Sequence, residues 1–298
     1  MRRPFTGCGT ALVTPFRRDG SVDDAGVRRL ARRQIDEGIH FLVPCGTTGE
    51  TPTLDAGERA RVVEAVVQEA AGRVPVLAGA GGYDTREVAE SAKRMHEAGV
   101  DGLLSVTPYY NKPTPDGLVA HYQAIADATP LPIIVYNVPG RTGVNLDVAT
   151  IVRLSEIPSV VGVKEASGNV TQMCEICRAV PEGFLVLSGD DALTLPVMSV
   201  GGHGIISVAS NQAPARMARM VELAERGDFI AARAIHRDLL PLMLINFIES
   251  SPIPVKAAMA AMGLLEEVYR LPLVGPRPAS RARILEVLRA VELLEVVG

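Results

Sequence analysis

The chain has 298 residues, 47% of them hydrophobic and 21% charged, with a net charge of −4 at pH 7. That is enough for one large α/β barrel or two ordinary domains, too apolar for disorder, and without the positive charge a nucleic-acid partner calls for. No apolar run approaches a membrane span, and the basic start Met1-Arg2-Arg3-Pro4-Phe5 leads into no apolar segment of the secretory kind, so a cytoplasmic protein is expected.

Taken in order, short apolar runs alternate with amphipathic stretches. The runs at 10–13, 41–43, 76–78, 102–106, 133–136, 160–164, 184–187 and 204–207 read as strands, each closing on small, polar or turn-forming residues. Between the first two, Val27, Leu30, Ala31, Gln34 and Ile35 keep helical spacing, with Arg28, Arg29, Arg32 and Arg33 on the other face. Asp55 and Glu58 form a capping-box start to a helix through Ala70. Further helices are predicted at 85–98, 116–128, 147–155, 169–180, 191–200 and 213–226. Eight β/α units in which apolar strands are covered by helices imply a parallel sheet, and eight close most naturally into a (β/α)8 TIM barrel over 1–226. An open doubly wound sheet is the alternative, but Gly79-Ala80-Gly81-Gly82 lacks the dinucleotide-binding glycine spacing. Past 226 the pattern is helical (229–247, 254–262, 280–296), which reads as a C-terminal helical domain over 227–298.

The four cysteines (8, 45, 174 and 177) are too few for a disulfide framework. Cys174-Glu175-Ile176-Cys177 has half the spacing of a zinc site, with no second pair and no histidine near it in sequence; two reduced thiols on a helix, and no metal, are expected.

One residue breaks the apolar rule. Val160-Val161-Gly162-Val163 is followed by Lys164, in a chain with 26 arginines and only four lysines, at 93, 112, 164 and 256. Arginine serves most surface roles but cannot act as an amine nucleophile. Either Lys164 lies along apolar surface with its head in water, or its amine attacks a carbonyl. At an ordinary pKa of about 10.4 only about one lysine in a thousand is neutral near pH 7.4, and burial can lower that value by roughly three units. In a barrel the chemistry sits at the C-terminal strand ends. Those ends supply Thr47, Thr48, Tyr109, Tyr110, Tyr136, Arg141, Lys164 and Ser207: hydroxyls and cations that suit amine catalysis, with neither a metal cluster nor a nucleophile elbow. Each has a plainer alternative: a packed tyrosine, a turn threonine, a surface arginine. Glu50 and Glu165 read as structural hydrogen-bonding groups, and Asp190-Asp191 as a helix N-cap.

The motifs Gly46-Thr47-Thr48-Gly49-Glu50, Thr107-Pro108-Tyr109-Tyr110-Asn111, Tyr136-Asn137-Val138-Pro139-Gly140-Arg141-Thr142-Gly143, Val163-Lys164-Glu165-Ala166-Ser167-Gly168-Asn169, Leu187-Ser188-Gly189-Asp190-Asp191 and Gly201-Gly202-His203-Gly204, in this order over essentially the whole chain, resemble the pyruvate-dependent class I aldolase family, which includes the N-acetylneuraminate lyases. The resemblance implies a lyase in which Lys164 forms a Schiff base with pyruvate, so that no cofactor is needed. It implies that Tyr136 moves protons at the imine, with Thr47 and Tyr110 completing a hydroxyl relay. Tyr110 would enter from a neighbouring subunit, in a homotetramer built as a dimer of dimers. Thr48, Ile206 and Gly189 would hold pyruvate, and Arg141 the carboxylate of a second substrate. The paired threonines and Arg141 favour L-aspartate 4-semialdehyde in that role, on the diaminopimelate route to lysine. The alternatives are an N-acetylneuraminate lyase, a 2-keto-3-deoxy sugar-acid aldolase or dehydratase, and, more remotely, a non-catalytic keto-acid-binding barrel.

One region departs from the lysine-inhibited members of that family. Where they carry a serine, histidines and an asparagine, this chain has Thr51-Pro52, Ala56, Arg59 and Tyr83, although Glu87 and Tyr109 match. An arginine there would repel the ammonium groups of lysine, so weak or absent feedback is expected.

Overall fold

The computed structural model describes residues 4–294. Met1, Arg2, Arg3 and the expected helix end at Val296 lie outside that range. The strands and helices alternate as β1 (Gly7–Ala11), α1 (Asp24–Asp36), β2 (Phe41–Val43), α2 (Ala56–Ala70), β3 (Leu77–Gly79), α3 (Thr85–Glu97), β4 (Gly102–Val106) and α4 (Pro115–Ala128). They continue as β5 (Ile133–Asn137), a short α5 (Pro139–Thr142), α6 (Val148–Ser155), β6 (Val160–Glu165), α7 (Val170–Ala179), β7 (Leu185–Ser188), α8 (Thr194–Ser199), β8 (Gly204–Ser207) and α9 (Pro214–Glu225). Three further helices follow: α10 (Phe229–Ile245), α11 (Ile253–Ala261) and α12 (Pro278–Ala290).

All strand pairs are parallel, in the order β2-β1-β8-β7-β6-β5-β4-β3, and a parallel bridge between Leu42 and Val76 joins β2 to β3. The sheet therefore closes into the expected eight-stranded barrel. Because side chains alternate along a strand, each strand feeds two cores. Phe41, Val43, Leu77, Leu104, Ile134, Tyr136, Leu185, Leu187 and Ile206 pack inside the barrel. Leu42, Leu103, Ile133, Val135, Val163, Val186 and Ile205 pack outward against the helices. The lower end of the interior is filled by Phe5, whose ring meets Phe41 edge-on at 5.8 Å.

The expected capping box at the start of α2 is present: Asp55 accepts the Glu58 N–H at 2.8 Å, and Glu58 accepts the Asp55 N–H at 3.1 Å. Most boundaries fall within one or two residues of those expected, the short α5 is additional, and three elements differ by more. β1 begins at Gly7 and ends at Ala11, because the ladder with Gly204–Ser207 sets it rather than its own apolar run. The stretch 191–200 divides into a 3₁₀ turn, Asp191–Leu193, and α8. α12 stops at Ala290 rather than running on, because Glu292 turns left-handed (φ 61°) and the Leu293 N–H returns to the Leu288 carbonyl.

Candidate active site

Period-two alternation places the site residues. On β6, Val163 and Glu165 face the helices, so Lys164 between them points into the barrel, in register with Tyr136 on β5 and Leu187 on β7. Its amine lies over the Tyr136 ring, 4.2 Å from the centroid. Lys164 is 5% exposed, so it does not reach water along an apolar surface. Burial pushes its ammonium down to about 7; the Arg141 charge acts in the same direction, and Asp191 opposes both. The neutral amine is therefore far more accessible near pH 7 than in an ordinary lysine.

Burial raises the Tyr136 phenol, partly offset by Arg141 and by a hydrogen bond shared with Thr47, so the phenol stays protonated at neutral pH. Thr47 and Thr48 occupy a 3₁₀ turn after β2 whose flanking residues, Cys45 and Glu50, both hold left-handed backbone (φ 55° and 54°). Arg141, on α5, is exposed at the mouth and donates to the Ser251 carbonyl at 3.1 Å. Thr47, Tyr136 and Arg141 line one cavity of about 610 Å³, together with Leu104, Val106 and Val138. Thr48 and Ile206 are buried. Gly189 has a steric reason to be glycine: a Cβ there would stand 2.6 Å from Ala166 Cβ and 3.1 Å from Lys164 Cε.

Tyr110 is the exception. It is 94% exposed, in left-handed backbone (φ 68°), and is not part of its own chain's cavity. The cavity does extend over the region that departs from the lysine-inhibited pattern: Thr51, Pro52, Arg59, Tyr83, Glu87 and Tyr109 line its outer part, and Ala56 is not among them.

Two supporting groups depart from the sequence reading, one unread and one read as a cap. Lys256, on the otherwise apolar helix α11, is fully buried and pairs with Glu50 at 2.5 Å; the same scarcity of lysine that singles out Lys164 could have flagged it. Asp191 does not cap a helix. Asp190 takes that role, accepting the Ala192 N–H, while the Asp191 carboxylate turns inward to Ser207, Val208 and Ala209. Glu165 is structural, as expected, accepting from Asn137, Ser167 and Gln172. Among the described residues no group of three or more histidine, cysteine, aspartate or glutamate side chains could hold a metal ion, and no helix is long and apolar enough to cross a membrane.

Known proteins resemble this chain over nearly its whole length. The model of the dihydrodipicolinate synthetase family matches residues 4–291. A 4-hydroxy-tetrahydrodipicolinate synthase of Koribacter versatilis is 53% identical over 282 residues, 94% of each chain. The crystal structure of dihydrodipicolinate synthase from Aquifex aeolicus superposes with a TM-score of 0.95 at 43% identity, covering 97% of this chain and 99% of that one. The chloride-inhibited dihydrodipicolinate synthase of Acinetobacter baumannii, complexed with pyruvate, has the same TM-score of 0.95 at 41% identity, covering 97% and 99%.

Proposed function

The chain belongs to the dihydrodipicolinate synthetase family of lyase-type enzymes, and on that premise we propose that it condenses pyruvate with L-aspartate 4-semialdehyde through an imine on Lys164. The observation that carries the mechanism is the position of Lys164: a buried amine, its ammonium pushed down to about 7, lying over the Tyr136 ring at the C-terminal end of the barrel.

The neutral Lys164 nitrogen attacks the pyruvate carbonyl carbon, giving a carbinolamine. Loss of water leaves a cationic iminium, and loss of a methyl proton converts it to an enamine. The enamine carbon attacks the aldehyde carbon of the semialdehyde, whose oxygen takes up a proton. The amino group of that substrate then attacks the imine carbon, closing the ring and releasing Lys164. Tyr136, hydrogen-bonded to Thr47, is placed to move these protons, and Tyr110 of a second subunit would link the pair to solvent. Thr48, Ile206 and Gly189 would seat pyruvate; pyruvate as first substrate is supported by the Acinetobacter baumannii relative, whose crystal structure is a complex with pyruvate. Arg141 at the mouth would receive the second carboxylate. The imine itself is the covalent link, so the proposal calls on no cofactor. A cytoplasmic homotetramer, with a barrel over 1–226 and a helical domain over 227–298, belongs to the same proposal.

Borohydride reduction in the presence of pyruvate, followed by peptide mass mapping, tests it. The adduct is expected on Lys164, and an adduct elsewhere or none would sink the mechanism. Turnover with aspartate semialdehyde, coupled to the next reductase, separates this reading from the sugar-acid relatives. With Arg59 on the outer cavity wall, lysine should inhibit weakly; a submillimolar inhibition constant would contradict that reading.

A further inference from the structure

Among the described residues, five buried side chains belong to acidic or basic types other than histidine: Glu50, Lys164, Glu165, Asp191 and Lys256. Glu50 and Lys256 neutralise each other directly. Glu165 is held by amide donors from Asn137 and Gln172 and by the Ser167 N–H. That leaves one buried amine, Lys164, and one buried carboxylate, Asp191, neither with an ion-pair partner in contact.

The turn carrying Asp191 packs on the stem of Lys164, through Gly189 two residues earlier. Its carboxylate accepts the Ser207 hydroxyl at 2.5 Å and the Val208 and Ala209 N–H groups at 3.1 Å each. Burial, with the neighbouring charge of Asp190, raises this carboxyl above the usual carboxylate range, and the three donors oppose that rise by favouring its ionised form. The groups whose charges or ring bear on Lys164 are Tyr136 from β5, Arg141 from α5 and Asp191 from the turn after β7; Glu165 lies on the opposite, helix-facing side of β6.

We propose that Asp191 is a positioning residue for Lys164, the buried counter-charge that stabilises the cationic nitrogen through space while anchoring the end of β8 beside Ile206. This deepens the imine reading and rests on it. Imine formation turns a neutral amine into a cationic iminium inside a desolvated barrel, and a cation there needs a compensating charge. A carboxylate in direct contact would tie up the amine in an ion pair and hold its proton. One set back behind Gly189 supplies the field and leaves the lone pair free to attack.

The test compares the wild-type enzyme with Asp191→Asn by two readouts. Competitive acetylation of Lys164 across neutral pH, followed by peptide mass mapping, gives the midpoint of its titration without any substrate. Borohydride trapping at fixed pyruvate concentration gives the iminium yield. In Asp191→Asn the midpoint should fall by roughly one pH unit. The trapped yield should fall severalfold, although more of the lysine is neutral. A purely structural Asp191 would lower the yield with the midpoint in place, and that result overturns the proposal. If the Asn variant does not fold, Ser207→Ala carries the test: it removes the 2.5 Å donor, weakens the carboxylate's ionisation and should move the midpoint the same way by less, and an unmoved midpoint again overturns the proposal. Failure of the wild-type enzyme to trap pyruvate on Lys164 would instead strike at the imine reading, while the acetylation midpoints still judge Asp191.

Discussion

Lys164 has to be neutral to attack, and burial that pushes its ammonium down to about 7 makes the neutral form readily available there. The sign follows directly: protonation on the acid side removes the nucleophile, so kcat/KM for pyruvate should fall about tenfold per pH unit well below pH 7. A pH–rate profile checks this; an acid limb centred above about pH 9 would mean that the amine is not the group that titrates. Lys164→Arg should abolish turnover, because a guanidinium keeps its charge and cannot form the imine. The same burial bears on stability. With the native pKa below the unfolded one, this ammonium destabilises the fold most fully below pH 7, and the penalty fades as pH rises toward 10.5. Lys164→Met should therefore raise stability at neutral pH by on the order of 2 kcal/mol, read by denaturant unfolding, while turnover disappears. Activity here is bought with strain in the electrostatics, and removing one should release the other.

The loop between β2 and α2 shows how elements hold the chemistry in place. Thr47 and Thr48 sit on a turn that ends in left-handed Glu50, a conformation costing about 1–2 kcal/mol for a residue with a Cβ. Glu50 is fixed from the C-terminal helices: Lys256 on α11 meets it at 2.5 Å, beneath the rings of Phe16 and Tyr269, and the Arg270 N–H reaches its other oxygen. Removing one member strands a buried charge, so Glu50→Gln or Lys256→Met should each cost about 3–5 kcal/mol, with the pair of changes together costing much less than their sum. Additive losses in a denaturant-unfolding cycle would show that the two charges do not depend on each other. Arg270 makes a second, shallower tie, a bidentate pair with Glu58 that holds that carboxyl down at about 2. Because the native pKa is lowered, the tie is present above about pH 4.5 and is lost as pH falls toward 2; after solvent screening it contributes about 2 kcal/mol. Glu58→Gln should lower the thermal midpoint at pH 7 and flatten its decline in that acid window. None of these long-range ties was legible in the sequence, although both ends of the α2 capping box were. A capping box is written within four residues. The Glu50–Lys256 pair joins positions 206 residues apart, and only the closed barrel brings them together. Asp191 failed for a related reason: beside Asp190 it looks like a cap, and only the inward turn after β7 sends its carboxylate to β8. The strand ends fared better, because a lysine after three valines is anomalous wherever the strand leads.

At the scale of the whole molecule, the barrel gathers Lys164, Tyr136, Thr47 and Arg141 from three different β/α units, yet leaves Tyr110 outside. Tyr110 stands 94% exposed on left-handed backbone. A tyrosine in that position is costly for an isolated chain, since it presents a large ring to water and carries backbone strain. Both are accounted for if the ring is buried in a second copy, completing that copy's hydroxyl relay as the family resemblance implies. The arrangement makes a prediction that no single-chain enzyme can meet. Lys164→Ala subunits lack the nucleophile but keep a Tyr110 to lend; Tyr110→Phe subunits keep Lys164 but lend no hydroxyl. In a mixed dimer one site then combines the intact Lys164 of one chain with the intact Tyr110 of the other, and the second site carries both lesions. Random reassembly of equal amounts, after dissociation and refolding, should bring activity to about a quarter of the wild-type value, from a starting point near zero for the Lys164→Ala protein and far below wild type for the Tyr110→Phe protein. Activity that never exceeds the average of the two separate proteins would mean that Tyr110 acts within its own chain or not at all.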